Sequence, residues 1–127
     1  MNLADTEAGG QLRIHFLPLT LGGRVGFTLA PGRRGRDALG RFWTRDLEED
    51  LERLRAAGTS RLVSLLSPEE LEAARIGHLE AAARARGLAL DAAPLPADPE
   101  RIDVERLPPL VAMIARAAED GETVVLV

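Results

Sequence analysis

Apolar positions along the 127-residue chain change rhythm several times, and each change marks an element. Residues 12–19, LRIHFLPL, alternate well enough for a strand, and residues 24–29 can form a second after Gly22-Gly23. An antiparallel strand pair is expected to open the domain. Residues 31–42, PGRRGRDALGRF, read as a Gly- and Arg-rich loop. From Thr44 the period becomes helical: Leu47, Leu51 and Leu54 share one face, with Asp46, Glu48, Glu49, Asp50 and Glu52 on the others. Thr44 suits the N-cap, and acids early with Arg53 and Arg55 late suit the helix dipole. Gly58 ends that helix, and residues 61–66 form a short apolar strand.

The next start is sharper. Ser67-Pro68-Glu69-Glu70 is a capping box with proline at the first helical position. Gly77 interrupts this helix, and residues 78–86 form another, closed by Gly87. Residues 88–93 read as a strand, 94–103 as a rigid polar loop, and 104–118 as a helix with Leu107, Leu110, Val111 and Ile114 on one side. Residues 123–127, TVVLV, are a last strand whose lack of alternation predicts a central position buried on both faces. The order β-β-α-β-α-α-β-α-β predicts an α/β fold, a mainly parallel central sheet flanked by helices.

Composition narrows the picture. The chain is 46% hydrophobic, enough for one core over residues 11–127, with residues 1–10 as a flexible leader. A net charge of −4 gives no bulk attraction for nucleic acid. All 16 basic residues are arginine, the bias of GC-rich coding. No cysteine is present, which excludes disulfides, thiolate metal sites and a cysteine nucleophile within these residues. No apolar run approaches a membrane span and no signal peptide is evident, so a cytoplasmic protein without membrane contact is expected.

Several groups could carry chemistry. Gly22-Gly23-x-x-Gly26 sits between two strands, the wrong context for a dinucleotide loop. His15 and His78 have no partner pattern, so no metal is expected, and no serine sits in a G-x-S-x-G elbow. Arg33, Arg34 and Arg36 fit either an acidic or phosphorylated ligand or a solvated loop. In Pro94-Leu95-Pro96-Ala97-Asp98, two prolines stiffen the backbone ahead of a carboxyl group placed after a strand. Asp98 can be a general acid there, or simply a turn residue or cap before Pro99.

The succession LAPGRRGR, RDLEEDLERLRAAGTSRLVSLLSPEEL, APLPAD, a helix, and ETVVLV resembles the cysteine-based dual-specificity and protein-tyrosine phosphatases over residues 12–127. The nearest likeness is to their kinase-associated (cyclin-dependent kinase inhibitor type) branch and its bacterial relatives. The resemblance implies that the last strand delivers a His-Cys-x-x-Gly-x-x-Arg loop, whose thiolate attacks phosphorus and whose arginine holds the phosphoryl oxygens. It implies Asp98 as general acid, with Asp103 as the fallback because Ala97 rather than an acid follows Pro96. Arg33, Arg34 and Arg36 are then substrate-binding candidates, no cofactor is needed, and the partner is a phosphorylated protein or small phosphomonoester. On this reading residues 11–127 are an incomplete phosphatase-like domain, truncated after the central strand. It would lack the catalytic loop and C-terminal helices and be inactive as given. A pseudophosphatase or interaction module is the alternative. An isolated domain of this kind is expected to leave apolar surface open at residues 123–127, available to a protein partner, and to have low stability.

Overall fold

The computed structural model describes residues 10–37 and 39–127; all of the expected leader except Gly10 lies outside the described residues. Five strands form the main sheet in the order β1-β2-β7-β5-β6. They are β1 (His15–Phe16), β2 (Arg24–Phe27), β5 (Arg61–Ser64), β6 (Ala89–Ala92) and β7 (Thr123–Leu126). Only the β1–β2 pairing is antiparallel; β2–β7, β5–β7 and β5–β6 are parallel. A separate antiparallel hairpin, β3 (Arg34–Arg36) with β4 (Phe42–Thr44), lies between β2 and the first helix.

The helices are α1 (Leu47–Ala56), α2 (Pro68–Ala73), α3 (Leu79–Ala85) and α4 (Leu107–Glu119). One core face joins Leu51 and Leu54 of α1, Leu79 and Ala83 of α3, and Leu62, Leu90 and Val125 of the sheet. The opposite face joins Val63 and Val124 to Leu110, Met113, Ile114 and Ala117 of α4. Adjacent valines of β7 thus enter opposite cores, and both are wholly buried. Strand β7 is central, as its unbroken apolar run predicts.

Two expectations fail on this side of the sheet. The strand's apolar surface is not left open: Val124 and Val125 are sealed and Leu126 and Val127 are half-buried, because α4 covers one face and α1 with α3 the other. Val111 also leaves the buried stripe and is exposed. The stripe runs through positions 110, 113, 114 and 117, and Val111 stands a full residue's rotation away from it. The expected single helix over 104–118 starts as a short 3-10 turn, Val104–Arg106, capped by Asp103, before α4 begins with Pro108 and Pro109 in its first turn. Prolines fit there because first-turn N–H groups have no intrahelical acceptor.

The connection into α1 departs most from expectation. The loop over 31–42 contains β3 and runs into β4, and Thr44 pairs with Arg34 instead of capping α1. Asp46 is the N-cap, accepting from the Glu49 backbone N–H at 3.0 Å. Carboxylate and hydroxyl caps are both good, so tertiary pairing decides which residue is used. Gly23 is not a ligand loop but a close crossing: a Cβ there would lie 1.9 Å from the Glu122 carbonyl oxygen.

A buried ion pair ties this corner together. Arg45 Nε and Nη2 donate to the two oxygens of Asp50 at 2.9 and 3.0 Å, with both side chains under 5% exposed. The Gly32 N–H donates to Asp50 Oδ2 at 2.8 Å, and Arg45 Nη2 also donates to the Gly10 carbonyl at 2.7 Å. Gly32 is required by its positive φ of 74° and by Leu47, whose Cβ would lie 2.6 Å from any Cβ added there. Removing one partner of such a pair leaves a buried charge uncompensated, at a cost of about 3–5 kcal/mol. Asp50→Asn is therefore expected to lower the urea midpoint by that equivalent. The paired change Arg45→Met with Asp50→Leu is expected to cost less than Asp50→Asn alone. A loss under about 1 kcal/mol for Asp50→Asn would contradict this reading.

Candidate functional site

The carboxyl ends of the parallel strands gather the loops in which α/β proteins place their sites. Main-chain bonds extend the ladder past the strands: Leu65 N–H to the Val127 carbonyl at 3.0 Å, Leu95 N–H to Leu65 at 2.9 Å, and Thr28 N–H to Leu126 at 3.0 Å. The segments after β2, β5 and β6 therefore converge beside Val127. The capping box sits in this cluster as its sequence predicts: the Glu70 N–H donates to Ser67 Oγ at 3.1 Å, and Glu70 Oε1 accepts from the Ser67 N–H at 3.0 Å.

Two clefts flank Glu70. The first, of about 420 Å³, lies between Ser67-Pro68 and the Pro94–Ala97 segment, with Arg106 on its wall. Asp98 follows that segment but is exposed and does not line the cleft. Its Oδ1 accepts from the Glu100 N–H at 3.0 Å, capping the 3-10 turn Pro99–Arg101. Asp103 does the same for the Glu105 N–H at 3.1 Å. Both general-acid candidates thus serve as caps, each accepting from a backbone N–H.

The second cleft, of about 220 Å³, is lined by Arg33, Arg34, Arg36, Asp37, Leu66 and Glu70, with part of α2. The three arginines that the sequence singles out come together here, and through Glu70 their cleft adjoins the first. Arg33 Cζ lies 5.8 Å from the Trp43 ring centre and Arg36 Cζ 5.7 Å from that of Phe42, within cation–π range. The Arg34 N–H donates to the Ala74 carbonyl at 2.9 Å, fastening the hairpin to the end of α2. Arg75 follows there in the left-handed region, φ 61°, where glycine is usual; the Ile76 N–H closes back onto Leu71 at 2.9 Å.

Asp37 organises the hairpin and has no signature in the sequence beyond its place near Gly40. Its carboxylate accepts from the Leu39 and Arg41 N–H groups at 2.9 and 3.0 Å and from the Trp43 indole N–H at 2.9 Å. Trp43 is only 3% exposed. Of the two histidines, His15 packs against Phe27 with ring centres 5.5 Å apart, and His78 is exposed ahead of α3. Among the described residues no cluster of three or more His, Cys, Asp or Glu could hold a metal, and no helix is long and apolar enough to cross a membrane. The second cleft thus sets three arginines beside the carboxylates of Asp37 and Glu70.

No protein-family model matches the chain, and no curated protein sequence matches it. A solved structure does match: the crystal structure of kinase-associated phosphatase with its catalytic-site cysteine substituted by serine, at a TM-score of 0.78 and 18% identity. The match covers 94% of this chain and 66% of that one. The fold is phosphatase-like. At this identity the likeness is one of fold, and the chain spans about two thirds of the length of the phosphatase it matches.

The Asp37 contacts set a pH dependence. The Trp43 indole N–H, helped by the Arg41 and Leu39 N–H groups and the Arg33 charge, holds the carboxyl below its ordinary value despite the opposing effect of burial. A carboxyl lowered in the fold stabilises it above its unfolded-state pKa, and that contribution is lost as pH falls through the folded value. The hairpin should therefore stay closed through mildly acidic pH and open below the ordinary Asp range. Emission from Trp43, the single tryptophan, reports this directly. Asp37→Ala should red-shift that emission already at pH 7; an unchanged spectrum would contradict the assignment.

Proposed function

We propose that the chain is the amino-terminal portion of a protein-tyrosine or dual-specificity phosphatase domain, acting on phosphomonoesters through a phosphocysteine intermediate. The observation that carries this reading is the placement of β7. It is the central, doubly buried strand of a phosphatase-like sheet, and the segments after β2, β5 and β6 gather where it ends. A nucleophile loop following β7 would be surrounded by the Pro94–Ala97 cleft on one side and the arginine cleft on the other.

In that arrangement Asp98 is the proposed general acid, with Asp103 as the fallback. Its bond to the Glu100 N–H is local and exposed, so turning the carboxyl toward a leaving oxygen costs one surface hydrogen bond. The nucleophile must come from outside these residues, since no cysteine is present. The alternative is a pseudophosphatase or interaction module that binds a protein partner without chemistry, which a verified stop codon after Val127 would favour.

The purified 127-residue chain is expected to show no turnover of para-nitrophenyl phosphate above buffer. Turnover that co-purifies with the chain and stops with vanadate would overturn the assignment. In a protein that carries the catalytic loop, Asp98→Ala is expected to lower kcat by about 10²–10⁴. Its stability should fall by only about 0.5–2 kcal/mol, the scale of a lost N-cap. A kcat within about twofold of the parent enzyme would remove Asp98 from the mechanism.

A further inference from the structure

The outer face of the β3–β4 hairpin has features that the core does not require. Arg34 pairs with Thr44 and Arg36 with Phe42 across the ladder, and all four residues are exposed. Paired residues share a face and alternate with the opposite one, so Trp43 and Gly35 turn inward while these four turn outward. Phe42 is 56% exposed, and Leu39 at the turn is 78% exposed. Arg33, Arg34 and Arg36 have no ion pair among the described residues, as is true of Arg41 beside them, and Arg36 Nη1 donates to the Gly40 carbonyl at 3.0 Å. Set against the carboxylates of Asp37 and Glu70 at the same cleft, the three arginines leave a small local excess of positive charge beside an open aromatic ring.

The platform is also tied down by hydrogen bonds. Asp37 grips Trp43 across the turn, the Arg45 N–H closes the open end of the hairpin onto the Arg33 carbonyl at 3.0 Å, and the Arg34 N–H fastens β3 to the Ala74 carbonyl at 2.9 Å. A preordered surface presenting arginine next to an aromatic has the make-up of an interface hot spot.

We propose that this face docks an extended acidic segment of a protein partner. Side chains two residues apart on β3 stand about 7 Å apart, the same repeat as alternate side chains of an extended peptide. Arg34 and Arg36 can each meet one carboxylate of an acid-x-acid sequence, and Phe42 and Leu39 can take an intervening or following apolar residue. Arg34 and Arg36 also line the second cleft, so the docked segment would lead toward the end of β7. This extends the functional reading by naming the partner's chemistry, and it requires no hydrolysis.

Fluorescence anisotropy of a labelled ten-residue peptide of alternating glutamate and threonine tests it on the 127-residue chain. Saturable binding is expected that weakens as salt rises, with little binding of the glutamine counterpart. Arg34→Glu should weaken binding about two- to fivefold, the scale of an exposed ion pair. Phe42→Ser should weaken it about twofold or more. Native Trp43 emission in both variants reports that the hairpin is intact. The proposal is overturned if the glutamate peptide does not bind, if the glutamine peptide binds equally, or if Arg34→Glu binds like the parent chain. Tighter binding of a ten-nucleotide single-stranded DNA would assign the surface to nucleic acid instead. No outcome depends on phosphatase activity, so failure here leaves the catalytic reading standing.

Discussion

The corner of the fold that matters most hangs on the buried Arg45–Asp50 pair. One carboxylate receives two guanidinium bonds and the Gly32 N–H, and the same arginine reaches the Gly10 carbonyl. Four separate stretches of chain are thereby fixed to one another: the segment before β1, the turn after β2, the end of β4 and the first turn of α1. Burying two charges costs most of what their attraction returns, so such a pair adds little net stability. What it supplies is position. It sets where the arginine hairpin leaves the sheet and how α1 enters the core. The Arg-Asp-Leu-x-x-Asp-Leu run has a clear division of labour: Arg45 and Asp50 form the pair, Asp46 caps α1, and Leu47 and Leu51 pack beneath.

The sheet then determines what this corner faces. Because β7 is central, its end is flanked by the extensions of β2 and β5, and the β6 segment is bonded onto β5 in turn. Glu70, fixed by the capping box at the start of α2, stands between the two clefts. The structure thus divides the site region into a proline-rigid wall and an arginine wall. The likeness to kinase-associated phosphatase rests on this same arrangement of strands and helices, not on sequence identity.

Much of this was legible from local pattern. The leucines of α1, the capping box of α2 and the doubly buried β7 follow from periodicity and cap chemistry over a few residues, and the structure bears them out. The β3–β4 hairpin was not legible, since its strands have three residues each and its stability comes from Asp37 reaching Trp43 six residues on. The misplaced cap at Thr44 has the same origin: pairing with Arg34 claimed the residue. Asp50 looked like a member of a charged helix face and Arg45 drew no reading of its own, because burial of a charge cannot be read from its neighbours. Asp98 shows the limit for function. Its sequence fits both a general acid and a cap, and the geometry shows the cap without excluding the acid.

The central claim is that β7 is built to deliver a phosphate-binding nucleophile loop. Sequencing the source transcript through and beyond the Val127 codon tests it most directly. The account predicts His-Cys-x-x-Gly-x-x-Arg directly after Val127, in frame or after one frameshift. A verified stop codon there, or a continuation without cysteine and arginine at that spacing, would contradict it and leave the partner-binding reading in its place.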